Sequence, residues 1–284
     1  MSTALTTKQF FAQDGVKKKF EELLGKRAAQ FTTSVLQVVS SNNLLQKATP
    51  ESIYNAAAMA ATLDLPINQN LGFAWIVPYK GAAAFQMGWR GFVQLAQRTG
   101  QYLRINVTEV YKNQFKSYNQ LTEELDADFG VDGIGEIVGY VAYFKMLNGF
   151  EKTVYWSKTK VNAHAMKYSQ AYKSGTGITP WKDPDQFHEM AKKTVLKNTL
   201  SKWGFLSIEL QQATITDQAS IKDVDTLEVE YLDNTPEEVN EEEERIKVLL
   251  SDCKTVDEVN KIQEQAGKDF PSDLFDSRKE ELKK

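Results

Sequence analysis

The segment VGYVAYFKMLNGFEKTVYW, residues 138–156, is the most informative part of this chain for its fold. Two runs rich in β-branched and aromatic residues flank Asn148-Gly149, the pair preferred in a type I′ turn. We therefore expect a β-hairpin here. Because helical patterns occur on both sides of it, the sequence predicts an α+β body of mixed helices and a small antiparallel sheet.

Weaker patterns predict the other elements of this body. Thr49-Pro50 before an alanine-rich run is a typical capped helix start with an early proline. Alternation of apolar and polar residues from Leu103 to Thr108 predicts a strand with one solvated face. Helices are expected at about residues 51–63, 88–99, 158–172 and 185–203, and strand-like sequence covers residues 71–86.

The charge of the chain is divided unevenly. Residues 1–210 contain 24 Lys and Arg against 17 Asp and Glu, and residues 211–284 contain 10 against 21, so the two net charges, +7 and −11, sum to −4. Within the basic part, Lys145 to Lys202 contributes 11 basic and four acidic side chains. A basic body with a separate acidic tail is typical of proteins that bind phosphate polymers.

Composition divides the chain into four parts. Residues 1–30 are polar and lysine-rich, and we expect an exposed basic arm or short helix. Residues 31–210 are expected to form the binding core, and residues 211–244 an acidic flexible linker. Residues 245–284 carry too many apolar positions for a plain tether, so we expect a small all-α module with a face for a protein partner.

Several classes of function do not fit the sequence. The single cysteine, Cys253, cannot form an internal disulfide, and no apolar run approaches a membrane span, so we expect a cytoplasmic protein without a membrane partner. No segment matches the phosphate-binding pattern G-x-x-x-x-G-K-[ST], which argues against an ATP-driven motor. Gly133-Ile134-Gly135 leads into a strand, which disfavours a dinucleotide site.

Metal chemistry has one candidate in the sequence. His164 and His188 lie far apart without cysteine partners and are poor zinc ligands. The acidic group Asp126, Asp128, Asp132 and Glu136 could hold the Mg²⁺ of a nuclease, although turn residues surround it and a solvated loop is the favoured interpretation. We therefore expect no cofactor, with Mg²⁺ at most a counterion of DNA.

A first basic group lies on the helix expected after Gly88. Arg90, Gln94 and Arg98 recur every four residues and form one polar face. An arginine in the first helical turn opposes the helix dipole, and a bound phosphate would offset that cost. A structural ion pair with Glu109 is the alternative.

A second basic group comprises Lys192, Lys193 and Lys197. Lys193 and Lys197 are one helical turn apart, where like charges repel, and no acidic residue occurs between Met190 and Ile208. A polyanion lying along this face would reverse the repulsion. We therefore expect these lysines to contact DNA. Nearby aromatic side chains, among them Trp75, Tyr79, Phe85, Trp89 and Trp156, could stack on unpaired bases, although most are expected in the core.

Short motifs distributed over residues 56–100 are more specific than any of these patterns. They comprise Ala56–Ala58, Leu63–Leu65, Gly72, Val77–Tyr79, Phe85–Gly91, Leu95–Ala96 and Arg98–Gly100, with later pieces at Gly139–Tyr140, Ala142, Ala163–Ser169, Trp181 and Met190–Thr194. Together they closely resemble the RecT family of phage recombinases. The resemblance covers most of residues 30–205 and thins out after Gln211.

The resemblance implies a single-stranded-DNA-binding protein that anneals complementary strands into duplex DNA without ATP or covalent chemistry. It also implies a homo-oligomer, a ring or helical filament, and a C-terminal module that binds a phage exonuclease or a host single-strand-binding protein. By position it assigns DNA contacts to Arg90, Lys192 and Lys193. Charge and placement add Lys80, Arg98, Arg104, Lys112, Lys116, Lys197 and Lys202, and Trp89 is added as an aromatic ring that could stack on a base. The alternatives are a Mg²⁺-dependent nuclease and a passive single-strand-binding protein.

Overall fold

The computed structural model describes residues 5–230 except 69, 80, 176–178 and 225, and nine positions between 253 and 279. The chain divides into two compact units, Met1–Asn234 and Thr235–Lys284. The first is an α+β body, as predicted. Within the described residues, no helix is both long and apolar enough to cross a membrane.

Helices account for much of the first unit. The α-helices are α1 Thr7–Phe11, α2 Asp14–Leu24, α3 Ala28–Ser40, α4 Pro50–Thr62, α5 Trp89–Arg98, α6 Lys158–Tyr168, α7 Gln170–Lys173, α8 Pro184–Trp203 and α9 Ile208–Thr216. Short 3₁₀ turns lie at Gly25–Arg27, Leu45–Lys47 and Pro180–Lys182. The single helix expected over residues 158–172 is interrupted, because Ser169 is extended and caps α7.

Among the described residues, each pairing of one strand with another is antiparallel. The strands are β1 Ala74–Tyr79, β2 Ala82–Met87, β3 Tyr102–Tyr111, β4 Phe115–Asn119, β5 Glu124–Ala127, β6 Ile137–Met146, β7 Glu151–Ser157, β8 Ser220–Asp223 and β9 Glu228–Glu230. The central sheet has the order β3-β6-β7, and β1-β2, β4-β5 and β8-β9 form two-stranded sheets.

The hairpin expected from the sequence is formed by β6 and β7, which pair from Gly139 with Ser157 to Lys145 with Glu151. The turn type that the Asn-Gly pair favours, type I′, is not the one observed. That turn needs a positive φ at both central residues, whereas Gly149 has one (89°) and Asn148 does not. Instead, the Gly149 N–H donates to the Met146 carbonyl (3.1 Å), and the Asn148 side chain accepts from Phe150 N–H. Asn148-Gly149 thus closes a longer, bulged turn.

Helix α4 lies at the centre of the core. It begins as predicted, with the Thr49 hydroxyl accepting the Ser52 N–H and Pro50 in the first turn. Residues 56–61 are five alanines and Met59, all at most 2% exposed. Small side chains around the whole circumference let β2 and β8 pack against this helix.

Different elements pack against the two faces of the central sheet. Tyr140, Phe144 and Trp156 point into the main core, where α8 packs across the sheet. Alternate residues Val141 and Tyr155 point to the other face and pack against Phe115, Tyr118 and Leu125 of the β4-β5 hairpin. The alternation follows from the two-residue period of a strand.

The structure corrects both ends of the expected core. Residues 1–30 are not an exposed arm as a whole, because Phe11, Phe20 and Leu24 of α1 and α2 are buried in the main core. Lys17 and Lys18 of α2 are exposed. Nor does the expected linker begin at residue 211, since Ala213 of α9 and Ile221 of β8 are also buried.

The second unit is described only in part. Cys253, Val259 and Phe275 are buried within it, and Val259 N–H donates to the Thr255 carbonyl. The remaining residues of the expected helical module, and residues 231–244 of the expected linker, lie outside the described part of the chain.

Candidate nucleic-acid interface

Arg90 is held at the start of α5 by a close approach of two chain segments. Gly88 precedes the helix, and a Cβ atom there would overlap the Gly72 carbonyl oxygen and the Trp75 ring. Glycine is therefore required at this position. Arg90 is exposed, its guanidinium lies 5.3 Å from the Trp89 ring centroid, and it donates to the Leu71 carbonyl at 3.4 Å.

The indole of Trp89 joins a polar network between α5, α8 and β3. Its Nε1–H donates to Glu189 (2.6 Å), while the Lys192 ammonium lies 2.6 Å from Glu189 and 3.1 Å from Glu109. Partial burial alone would raise the pKa of Glu189, but hydrogen bonds from Lys192 and Trp89 outweigh it and lower that pKa. Glu109 thus pairs with Lys192 rather than Arg90, and Lys192 has two carboxylate partners.

Lys193 and Lys197 share one buried carboxylate. Asp217, which follows α9, lies 2.8 Å from the Lys193 ammonium and accepts hydrogen bonds from Lys197 and the Met87 N–H (both 2.9 Å). We call Lys193, Lys197 and Asp217 the ion triad.

Burial disfavours the charged forms of both Asp217 and Lys193. It would raise the pKa of Asp217, but the two ammonium groups outweigh it and lower that pKa. Lys193 has one carboxylate and a like-charged neighbour, so burial prevails and lowers its pKa.

The position of Lys193 contradicts its expected role. Lys193 is only 3% exposed, and its ammonium is directed toward the buried Asp217 rather than toward a surface. The repulsion that motivated a polyanion ligand is instead offset by Asp217, which lies outside the stretch between Met190 and Ile208. Lys193 and Asp217 are therefore structural, and Lys197 is only partly accessible.

The other predicted contacts are dispersed over the body. Arg98 donates to the Leu63 and Asp64 carbonyls (both 2.7 Å), so it caps the end of α4. Arg104 is exposed on β3, beside a shallow depression lined by Tyr102 and Tyr143. Lys112, Lys116 and Lys202 are also exposed, with Lys116 paired to Asp126 (3.3 Å), and Lys80 lies outside the described residues.

The acidic group of the nuclease alternative lies along β5 and the loop after it. Asp126 pairs with Lys116, and Asp128 accepts the Gly130 N–H within a local turn. In the part of the chain that the structure describes, no three His, Cys, Asp or Glu side chains converge as a metal site. His188 is bonded to the Tyr140 hydroxyl at 2.7 Å.

Helix α6 carries basic and aromatic side chains that the sequence analysis did not assign. Lys160, His164, Lys167 and Tyr168 recur along one side of it, next to Trp156 of β7. We call these five residues the α6 stripe. The available signal was in the sequence, since residues 152–182 contain six lysines and no Asp or Glu.

The α+β body carries exposed cations and aromatic rings on α5, β3 and α6. Such a surface is of the type that binds the phosphates and bases of nucleic acid. The RecT family model matches residues 29–231. The chain therefore belongs to the RecT family, whose members are single-strand annealing proteins of DNA recombination, and the resemblance drawn from the sequence motifs is confirmed.

Two curated relatives are similar to this chain. "Uncharacterized protein YqaK" of Bacillus subtilis (strain 168) is 42% identical over 277 residues, covering 98% of this chain and 90% of the relative. "Protein RecT" of Escherichia coli (strain K12) is 25% identical over 202 residues, covering 66% of this chain and 72% of that protein.

Proposed function

We propose that this protein binds single-stranded DNA and anneals complementary strands without ATP and without covalent chemistry, acting as a homo-oligomer. The observation that carries the proposal is the α6 stripe, in which Lys160 and Lys167 are exposed beside aromatic rings. Such a surface attracts a polyanion and does not repel it with interleaved carboxylates. Membership of the RecT family supports the same activity.

Annealing needs no nucleotide hydrolysis if the protein reduces the repulsion between the two strands. Each stacked base-pair step of the product stabilises it by about 1.4 kcal/mol, so pairing is downhill once the strands meet. Phosphate repulsion slows that meeting, and cationic side chains reduce it. The exposed side chains suited to this task are Arg90, Arg104, Lys112, Lys202 and the cations of the α6 stripe.

Size supports assembly into an oligomer. A folded body of this length has a radius of gyration of about 17 Å, and hence spans about 45 Å, or about 13 steps of B-DNA. Holding a longer strand requires several subunits side by side, as in a ring or a helical filament.

The acidic C-terminal part suits a protein partner better than DNA. The second unit, residues 235–284, contains nine basic and 15 acidic side chains, a net charge of −6. We propose that the second unit binds a phage exonuclease or a host single-strand-binding protein. An exonuclease would supply single strands to the annealing body, and a single-strand-binding protein would present strands that it already covers.

The direct test mixes two complementary fluorescent oligonucleotides with the full chain, without nucleotide and with EDTA. Accelerated pairing is expected. Pairing no faster than with a neutral control protein would contradict annealing, and tight binding without acceleration would identify a passive single-strand-binding protein. A parallel incubation of labelled DNA with Mg²⁺ tests the nuclease alternative, for which shortened products are the diagnostic result.

A further inference from the structure

The α6 stripe has a geometry that suits one particular ligand. The His164 ring lies between two aromatic rings, with centroids 4.5 Å from Tyr168 and 5.5 Å from Trp156. The Lys160 ammonium is 4.5 Å from the Trp156 ring, and the Lys167 ammonium is 5.0 Å from the Tyr168 ring. Tyr168 is 42% exposed. Positive charge and an accessible ring thus occur side by side.

The groups around His164 are cationic or uncharged. Helix α6 contributes Lys160 and Lys167, α8 contributes Lys197, whose partner is Asp217, and β7 contributes only Trp156. Among the described residues, no carboxylate forms an ion pair with His164, Lys160 or Lys167. Burial, together with the charges of Lys197 and Lys167, lowers the pKa of His164, so the imidazole is neutral at neutral pH.

We infer that the α6 stripe is a subsite for an unpaired nucleotide, in which a base stacks on Tyr168, adjoining phosphates contact Lys160 and Lys167, and His164 takes up a proton from solvent. This inference rests on the proposed function and assigns it a location. The phosphate charge offsets the repulsion that disfavours the imidazolium, so binding of the strand and protonation of His164 strengthen each other.

The stacking contact makes the subsite selective for single strands. An exposed aromatic ring can stack on any base whose face is open, whereas the bases of a duplex are already stacked on their neighbours. Lys160 and Lys167 contact phosphates of either form. Loss of the Tyr168 ring is therefore expected to affect single-strand binding, and loss of the lysines to affect both.

Proton uptake predicts a direction for the pH dependence. Affinity for the strand rises as the pH falls from about 8 to 5.5, by at most tenfold per pH unit if one proton is linked. The chain contains two histidines, and the other one is His188. Its bond to Tyr140 places it in a separate network, which makes it the matched control.

The experiment measures fluorescence anisotropy of labelled oligo(dT) and of a duplex of equal length with the full chain, at constant salt, across this pH range. Wild type and His188→Gln are expected to bind oligo(dT) more tightly as the pH falls. His164→Gln should lack the rise in affinity as the pH falls. His164→Lys, with a permanent charge, should bind at about pH 8 as tightly as wild type does at the acid end of the range.

Substitutions at Tyr168 test the stacking contact. Tyr168→Ala is expected to weaken oligo(dT) binding by about fivefold or more and to leave duplex binding unchanged, while Tyr168→Phe stays close to wild type. Equal weakening of both DNA forms would overturn the selectivity for single strands.

Several results separate failure of the subsite from failure of the proposed function. If His164→Gln keeps the wild-type pH profile, or weakens binding equally at every pH, the proton link is wrong. If wild type anneals DNA while all variants of the α6 stripe match it, the subsite is wrong and the proposed function stands. If wild type neither binds nor anneals single strands, the proposed function itself fails.

Discussion

Helices α6 and α8 carry similar lysine patterns in different surroundings. Lys192, Lys193 and Lys197 of α8 are paired with carboxylates, and Lys193 is buried. Lys160 and Lys167 of α6 are exposed and lie against aromatic rings. The lysines of α8 join parts of the fold, whereas those of α6 keep their charge available to a ligand. A run of lysines without nearby acids therefore predicts positive charge but not where that charge is used.

The largest effect on stability is expected from ending the chain inside α9. Truncation after Gln211 removes Asp217 and β8, and with them the hydrogen bonds from Asn55 to the Ile221 and Lys222 carbonyls. It also leaves Lys193 without its carboxylate partner. We expect this fragment to lose cooperative unfolding, whereas truncation after Asn234 should keep it. Circular dichroism melts of the two fragments make the comparison, and equal melting temperatures would show that α9 and β8 contribute nothing.

Replacing one lysine of the ion triad should have the next largest effect. Lys193→Ala leaves the buried carboxylate with one cation fewer, and we expect the free energy of unfolding to fall by about 3 kcal/mol. Lys202→Ala, an exposed lysine of the same helix, should change it by less than about 0.5 kcal/mol. Urea denaturation measures both variants. Similar values for the two would mean that the ion triad is not a structural element.

The ion triad also predicts a pH dependence of stability. The pKa of Asp217 is lower in the folded protein than in the unfolded chain, so its stabilisation is present above the unfolded pKa of about 3.9 and is lost as the pH falls through the folded value. The difference in unfolding free energy between wild type and Asp217→Asn should therefore shrink below about pH 4. A constant difference across acid pH would contradict the charged state assigned to Asp217.

Substitutions in α6 are expected to have the smallest effect on stability and the clearest effect on DNA binding. The double variant Lys160→Ala, Lys167→Ala should unfold like wild type, and the salt dependence of its oligo(dT) affinity should flatten by about 1.4, or 0.7 for each lost phosphate contact. The matched control removes Lys17 and Lys18 of α2, which pair with Asp14 and Glu22. An equal change of slope in both variants would indicate a general effect of net charge.

Local patterns were sufficient for the elements whose signals lie within a few residues. Thr49-Pro50 marked the start of α4, and the two β-rich runs around Asn148-Gly149 marked β6 and β7. The turn type was wrong because it depends on the φ of Asn148, which residue identity alone does not determine. The family was also readable from the sequence, because its motifs are short and lie close together along the chain.

The amino-acid sequence by itself thus determined the α+β class, the basic charge of the body and the family, since each depends on composition or on neighbouring residues. Only the tertiary structure decided the use of each lysine. The partners of Lys193 and Lys192, namely Asp217 and Glu109, come from other elements of the chain. Burial and pairing of a charge depend on such long-range contacts, which exist only once the chain has folded.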